Sequence, residues 1–132
     1  MGIKYVSTCL SPSGYGSAAR AFITSLYTTG VDVTCDILYQ MAERGEHGWT
    51  GKLCENLKDR DIPYKIKIIH LTPDTALTHL EKGKYNIFHL FWETDKLPEG
   101  WADACNKAQE IWTSSSAMAE LFRASGVRVP IY

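Results

Sequence analysis

Residues 85–91 read Tyr-Asn-Ile-Phe-His-Leu-Phe and lead directly into Trp92-Glu93-Thr94-Asp95-Lys96-Leu97-Pro98. The first seven residues are mostly apolar and aromatic, a pattern typical of a strand that is buried on both faces of a sheet. Glu93 and Asp95 follow at the carboxyl end of this predicted strand. Ligands of open α/β sheets bind in the crevice outside the carboxyl ends of the strands. The two carboxylates are therefore candidate binding residues for a polar substrate.

Glu93 and Asp95 also have a purely structural interpretation, which this segment alone leaves equally open. A helix is predicted shortly after Pro98, and a carboxylate that precedes a helix can accept hydrogen bonds from its first backbone amides. Such a cap contributes about 1 kcal/mol to stability and needs no ligand.

Strand and helix patterns alternate along the whole chain. Short apolar runs predict six strands, at residues 3–9, 31–38, 65–70, 85–91, 110–113 and 127–132. Apolar residues at helical spacing predict helices at residues 17–29, 53–59, 72 onward, 100–107 and 114–125. This alternation predicts the α/β class: one Rossmann-like domain, residues 1–132, with a doubly wound parallel sheet of about six strands and helices on both faces.

The usual Rossmann strand order, 3-2-1-4-5-6, places the first and fourth strands side by side where the winding reverses. The loop at residues 11–17 would then face the Trp92–Pro98 loop across one crevice. This placement favours a functional role for Glu93 and Asp95. The first loop contains Gly14, Tyr15 and Gly16 and leads into a helix. Small residues beside helix N-terminal amides favour contact with a phosphate, although a simple turn is the alternative interpretation.

The same loop formally fits the dinucleotide-binding pattern, with Ala19 in the last small-residue position and Asp36 lying 20 residues after Gly16. A nicotinamide- or flavin-dependent oxidoreductase domain is therefore a further candidate function. Residues 10–13 weigh against it, because the pattern requires its glycines to follow the strand directly. A binding module without chemistry is another alternative.

Charge and composition exclude several other classes. The 132 residues include 14 basic and 15 acidic side chains, with a formal net charge of -1, so no nucleic-acid partner is expected. No apolar segment reaches the roughly 18 residues of a membrane span, and we expect a cytoplasmic protein. The four cysteines lack zinc-binding spacing. We therefore expect free thiols, as in a reducing compartment, and no metal site.

Three other residues complete the set of candidates. His70 ends the third predicted strand, although a histidine there is more often a hydrogen-bonded core residue. Arg44 and Trp49 belong to the glycine-punctuated segment 42–52, which is predicted to be a long loop. At the rim of a binding site, Trp49 would stack on a sugar face and Arg44 would contact a charged group. A solvated loop is the alternative for both.

Five segments, taken in order, relate the chain to a known family. They are residues 14–16 (Gly-Tyr-Gly), 30–33 (Gly-Val-Asp-Val), 92–98 (Trp-Glu-Thr-Asp-Lys-Leu-Pro), 110–115 (Glu-Ile-Trp-Thr-Ser-Ser) and 122–127 (Phe-Arg-Ala-Ser-Gly-Val). In this order they resemble the N-terminal domain of GT-B glycosyltransferases, closest to the retaining family that includes sucrose synthase-like and glycogen synthase-like enzymes and mannosyltransferases. The resemblance spans the whole chain and is most specific in residues 92–98 and 115–126.

The resemblance implies the acceptor-side half of an enzyme that uses a nucleotide-sugar donor. In that family a second, C-terminal Rossmann-like domain supplies most donor contacts. By position, Glu93 and Asp95 would line the acceptor side, residues 14–16 would approach the donor phosphates, and Ser115 would cap a helix facing the cleft. The chain ends at Tyr132, inside a strand that continues into the second domain in the family. We therefore expect a half that transfers no sugar alone, with no assigned nucleophile and no cofactor.

Overall fold

A computed structural model describes residues 1–38 and 47–132 of the protein. Within these residues a five-stranded parallel sheet carries helices on both faces. Its elements, in chain order, are β1 (Gly2–Ser7), α1 (Gly14–Thr28), β2 (Val33–Ile37), α2 (Gly48–Asn56), β3 (Tyr64–His70), α3 (Pro73–Ala76), a 3₁₀ helix (Leu77–His79), β4 (Tyr85–His89), α4 (Trp101–Cys105), β5 (Glu110–Trp112) and α5 (Ser116–Ala124). The predicted fold class, a doubly wound α/β domain of the Rossmann-like kind, is confirmed.

The sixth predicted strand, at residues 127–132, contributes only one bridge to the sheet. Ile131 pairs with Ile111 at the outer edge of β5. Pro130 has no amide hydrogen, so it only accepts a hydrogen bond, from Ile111 N. The described sheet therefore has five strands rather than six.

The predicted strand order is wrong, because the observed order is β2-β1-β3-β4-β5 and β1 and β4 are not neighbours. The outer edge of β2, where the predicted order places β3, carries the segment that follows α2. Cys35 N donates to Leu57 O at 2.8 Å and Asp59 N donates to Cys35 O at 3.0 Å. Lys58 thereby forms a parallel bridge with Cys35 on the outer edge of β2. Strand β3 instead pairs in parallel with β1, on the side away from β2.

The two faces of the sheet carry separate apolar cores. Alternate side chains of each strand point to opposite faces, so Tyr5, Ile68 and Ile87 pack under α1 and α2. Val6 and Phe88 belong to the other core, under α3, α4 and α5. The sheet is thus covered on both sides, as the apolar run of β4 predicts.

Helices α1 and α2 both begin earlier in the chain than the sequence predicts. Helix α1 begins at Gly14 rather than at residue 17, because Ser13 provides the N-cap and accepts a hydrogen bond from Gly16 N at 3.2 Å. Helix α2 covers residues 48–56, so Trp49 lies on a helix and not in the predicted loop. Gly126, with φ of 102°, follows α5 as the predicted stop.

Candidate functional site

The winding of the sheet reverses between β1 and β3, and the polar loops converge at the carboxyl edge around that point. Although β3 separates β1 from β4, the loops after β1 and β4 still meet, because Tyr15 at the start of α1 spans the end of β3. Its hydroxyl donates to Phe91 O at 2.7 Å and accepts from Phe91 N at 3.1 Å. Burial raises the pKa of Tyr15, so this hydroxyl keeps its proton at neutral pH.

A cleft of about 710 Å³ opens beside this contact. Its walls come from the start of α1, the loop after β4 and the start of α5. The lining residues are Ser13, Gly14, Tyr15, Ala18, Phe91, Trp92, Glu93, Thr94, Ser114 and Met118. Of the residues proposed from the sequence, Gly14, Tyr15 and Glu93 line this cleft.

Neither acidic residue of the Trp92–Pro98 loop caps a helix. The N-cap of α4 is Gly100, at φ of 81°, and it makes no side-chain capping hydrogen bond. Glu93 and Asp95 are exposed, and neither carboxylate has a hydrogen-bond or ion-pair partner within residues 1–38 and 47–132. The capping interpretation is therefore wrong for both, and only Glu93 lines the cleft.

The two glycines of the first loop have different environments. A Cβ atom on Gly16 would collide with the carbonyl group of Ser11 and would lie 2.9 Å from Thr8 O. Gly16 is buried and is needed for this close backbone packing, and its amide donates to Ser13 Oγ. Gly14 is open, because a Cβ atom added there would have no neighbouring atom within 4 Å. The backbone amides of Gly14 and Tyr15 find no acceptor in the described part of the chain.

His70 lies beneath Tyr15 and does not line the cleft. The two ring centroids are 5.2 Å apart, and His70 is fully buried. Tyr5 Oη lies 2.8 Å from Nδ1 of His70 and 3.2 Å from Nδ1 of His89, while the two imidazole rings stack at 4.2 Å. His70 thus has the environment of a hydrogen-bonded core histidine, although its Nε2 has no partner in the described residues.

Burial keeps both histidines uncharged. It lowers the pKa of His70 to about 3, with a smaller contribution from His89, and it lowers the pKa of His89 to about 4. A single hydroxyl proton serves the pair, so Tyr5 donates to one Nδ1 and accepts from the other.

The remaining predicted residues lie away from the cleft. Trp49 is 59% exposed on α2 and is not among the lining residues. Ser115 caps α5, as the resemblance implies, by accepting from Met118 N at 3.2 Å. Its neighbours Ser114 and Met118, rather than Ser115 itself, reach the cleft wall. Arg44 lies outside the described residues.

Several lining residues were not identified from the sequence, among them Phe91, Trp92 and Ser114. Each follows β4 or β5 at its carboxyl end, which is the position where ligands of such sheets bind. Met118 lies one turn into α5, so only the packing of that helix against the loops reveals it.

Among the described residues, no group of three or more histidine, cysteine or acidic side chains is arranged to hold a metal ion. All four cysteines are buried and unpaired by disulfides. No described helix combines the length and the apolar character of a membrane span.

The side-chain hydroxyls that line the cleft have local hydrogen-bond partners. Among its described lining residues, no serine or threonine hydroxyl is hydrogen-bonded to a histidine or a carboxylate: Ser13 contacts Ser11, Thr94 donates to Lys96 O, and Ser114 contacts Met118 Sδ. No protein-family model matches the chain, and no curated protein matches it. The function of the cleft therefore has to be inferred from its own residues.

Proposed function

We propose that this chain is the acceptor-binding, N-terminal half of a sugar transferase of the retaining GT-B kind, which requires a second Rossmann-like domain for transfer from a nucleotide-sugar donor. One observation carries the proposal. Two of the segments that carry the family resemblance contribute to one cleft, the first through Gly14 and Tyr15 and the other through residues 92–94. Tyr15 holds Phe91, the residue that precedes the second segment, by two hydrogen bonds. Nothing in the strand order alone requires that meeting, because β3 lies between the two loops.

The composition of the cleft agrees with a binding half that does not carry the reaction by itself. Aromatic side chains of Tyr15, Phe91 and Trp92 offer apolar faces to a ligand. The Glu93 carboxylate and the amides of Gly14 and Tyr15 offer hydrogen-bonding groups of both kinds. Without an activated nucleophile in the described lining, such a cleft binds and orients an acceptor.

The oxidoreductase alternative receives less support. A dinucleotide site needs its second glycine to let the pyrophosphate approach the backbone, whereas Gly16 is in contact with the loop residues Thr8 and Ser11. The phosphate would also lie close to the Glu93 carboxylate, which repels it.

The proposal is tested by sugar transfer with and without the second domain. The 132-residue chain alone should transfer no sugar from a panel of uridine- and guanosine-diphosphate sugars. The complete gene product, if it contains a second Rossmann-like domain, should transfer sugar to an acceptor. Transfer by the isolated chain would contradict the proposal. Tight calorimetric binding of a nicotinamide or flavin dinucleotide to the chain would favour the oxidoreductase function instead.

A further inference from the structure

Two residues that each carry an unpaired, buried polar atom lie side by side where the winding of the sheet reverses. Ser7 is the last residue of β1 and His70 is the last residue of β3, and the parallel register pairs them. Ser7 is 1% exposed and His70 is 0% exposed. Within the described part of the chain, Ser7 Oγ and His70 Nε2 have no hydrogen-bond partner. Buried polar atoms in folded proteins are nearly always hydrogen-bonded, to protein or to ordered water.

The two side chains share one face of the sheet. Alternate residues of a strand lie on the same face, so Ser7 is on the face of Tyr5 and His70 is on the face of Ile68. Tyr5 and Ile68 both belong to the core under α1 and α2. Neighbouring strands are about 4.8 Å apart, so a single small molecule can contact both side chains.

The hydrogen bonds of Tyr5 identify His70 Nε2 as a donor. Tyr5 Oη lies 2.8 Å from His70 Nδ1 and 3.2 Å from His89 Nδ1. The shorter distance is typical of a bond from a hydroxyl and the longer one of a bond from a ring N–H, so we assign Tyr5 as the donor to His70. His70 is uncharged and accepts at Nδ1, so it carries its proton on Nε2. This buried N–H needs an acceptor.

The Ser7 oxygen has its lone pairs available. The Ser7 hydroxyl approaches the Cys9 thiol and, after Cys54, contributes to lowering the pKa of Cys9. It does not complete a hydrogen bond of normal geometry there, and a thiol sulfur is a weak acceptor. Even when the hydroxyl hydrogen points to this sulfur, the oxygen can accept from another donor. A group that accepts from His70 Nε2–H and donates to Ser7 Oγ therefore satisfies both residues.

We propose that one water molecule is bound in the core between Ser7 Oγ and His70 Nε2 and connects the ends of β1 and β3. Two polar partners are within the two to four that a buried water has. Both atoms are closed off from solvent. Tyr15, whose ring centroid is 5.2 Å from that of His70, is held in place by its two bonds to Phe91. This enclosure favours a trapped water over the hydroxyl group of a ligand, which would have to displace Tyr15.

The direct test is to detect this water in the 132-residue chain. ¹⁷O magnetic relaxation dispersion counts the long-lived water molecules, and NMR of the ¹⁵N-labelled imidazole rings reports the His70 Nε2–H proton. That proton should be observed and should show a nuclear Overhauser contact to a slowly exchanging water. In Ser7→Ala the water keeps only one of its two partners, so the count should fall by one.

The stability of two matched variants tests the same inference independently. Ser7→Ala should lower the folding equilibrium constant roughly tenfold, because the buried His70 N–H then loses its partner. Thr24→Val is the control. Thr24 Oγ1, on α1, is also buried without a hydrogen-bond partner among the described residues, and it does not lie where the winding reverses. Its removal should leave the water count unchanged and should not lower the folding equilibrium constant.

A ligand hydroxyl is the other source of the same hydrogen bonds, and glycerol is the probe for it. Glycerol in large excess should change neither the water count nor the His70 Nε2–H resonance. Replacement of the water by glycerol would overturn the inference and make the site a subsite for a ligand hydroxyl. A wild-type chain without a water contact at His70 Nε2–H also overturns it, whether or not Ser7→Ala folds. So does a Ser7→Ala chain that keeps the full water count or is as stable as the wild type.

Discussion

Tyr15 and Phe91 are 76 positions apart in the chain and exchange two hydrogen bonds through one hydroxyl group, at 2.7 Å and 3.1 Å. Their rings also meet edge to face, with centroids 5.7 Å apart. The amide and the carbonyl of Phe91 are thereby both hydrogen-bonded, at the point where the Trp92–Pro98 loop follows β4. Tyr15 thus fixes the start of the loop that carries Glu93 against the N-terminus of α1.

Removing the Tyr15 hydroxyl tests this connection. Tyr15→Phe keeps the ring contacts but leaves the part-buried amide and carbonyl of Phe91 without a partner, which should cost about 1–3 kcal/mol of unfolding free energy. Hydrogen exchange at the Phe91 amide should accelerate, as measured by NMR. Tyr27→Phe is the control, because Tyr27 is 46% exposed on the same helix. Equal stability and equal exchange in the two variants would show that the hydroxyl does not hold the loop.

The buried histidine pair should make stability depend on pH. In the unfolded chain a histidine titrates near pH 6.5, whereas burial lowers the pKa of His70 to about 3 and of His89 to about 4. The unfolded state therefore binds more protons as the pH falls. The stabilisation of the folded state by its uncharged histidines is fully present above about pH 6.5. It is lost progressively as the pH falls to the folded pKa values.

Urea unfolding at about pH 7.5 and about pH 5 measures this loss, which should amount to roughly 2 kcal/mol per histidine. In His70→Gln, whatever its absolute stability, the difference between the two pH values should shrink by about half. An unchanged pH dependence in that variant would mean that His70 titrates alike in the folded and unfolded states.

Glu93 should matter to function and not to stability. Its carboxylate is exposed and unpartnered within the described residues, so Glu93→Gln should change the free energy of unfolding by less than about 0.5 kcal/mol. If the proposed function holds, the same substitution in a two-domain transferase that contains this chain should lower turnover strongly. Paired thermal melts and rate measurements separate the two effects. A lowered melting temperature with normal turnover would instead assign Glu93 a structural role.

Gly16 and Gly14 should differ sharply in their tolerance of a methyl group. Gly16→Ala forces a Cβ atom into the Ser11 carbonyl, which should cost about 1–3 kcal/mol or more, since the obstacle is backbone and cannot move aside cheaply. Gly14→Ala meets open space and, because alanine favours helices, should be neutral or slightly stabilising. Chemical denaturation of both variants checks this, and comparable losses would contradict the environments described for the two glycines.

Much of the fold could be predicted from local patterns. Strands β3 and β4 are apolar runs because both of their faces are buried. Helices α1 and α5 repeat apolar residues at helical spacing because one face is buried, so these elements can be recognised from the order of residues. The strand order could not be predicted in this way. The outer edge of β2, where the predicted order places β3, carries Lys58 in a bridge with Cys35, and a single bridge has no pattern in the sequence.

The candidate site, too, could be predicted from the sequence only in part. Residue order was enough to predict that Gly14, Tyr15 and Glu93 follow strands of a parallel α/β sheet, because strand ends are marked by where apolar runs stop. The folded chain was needed to show that Tyr15 reaches across β3 to Phe91, that Gly16 is in contact with its own loop, and that Asp95 lies outside the cleft. Those outcomes depend on side-chain reach and on backbone packing between segments far apart in the chain, which the spacing of residues does not encode.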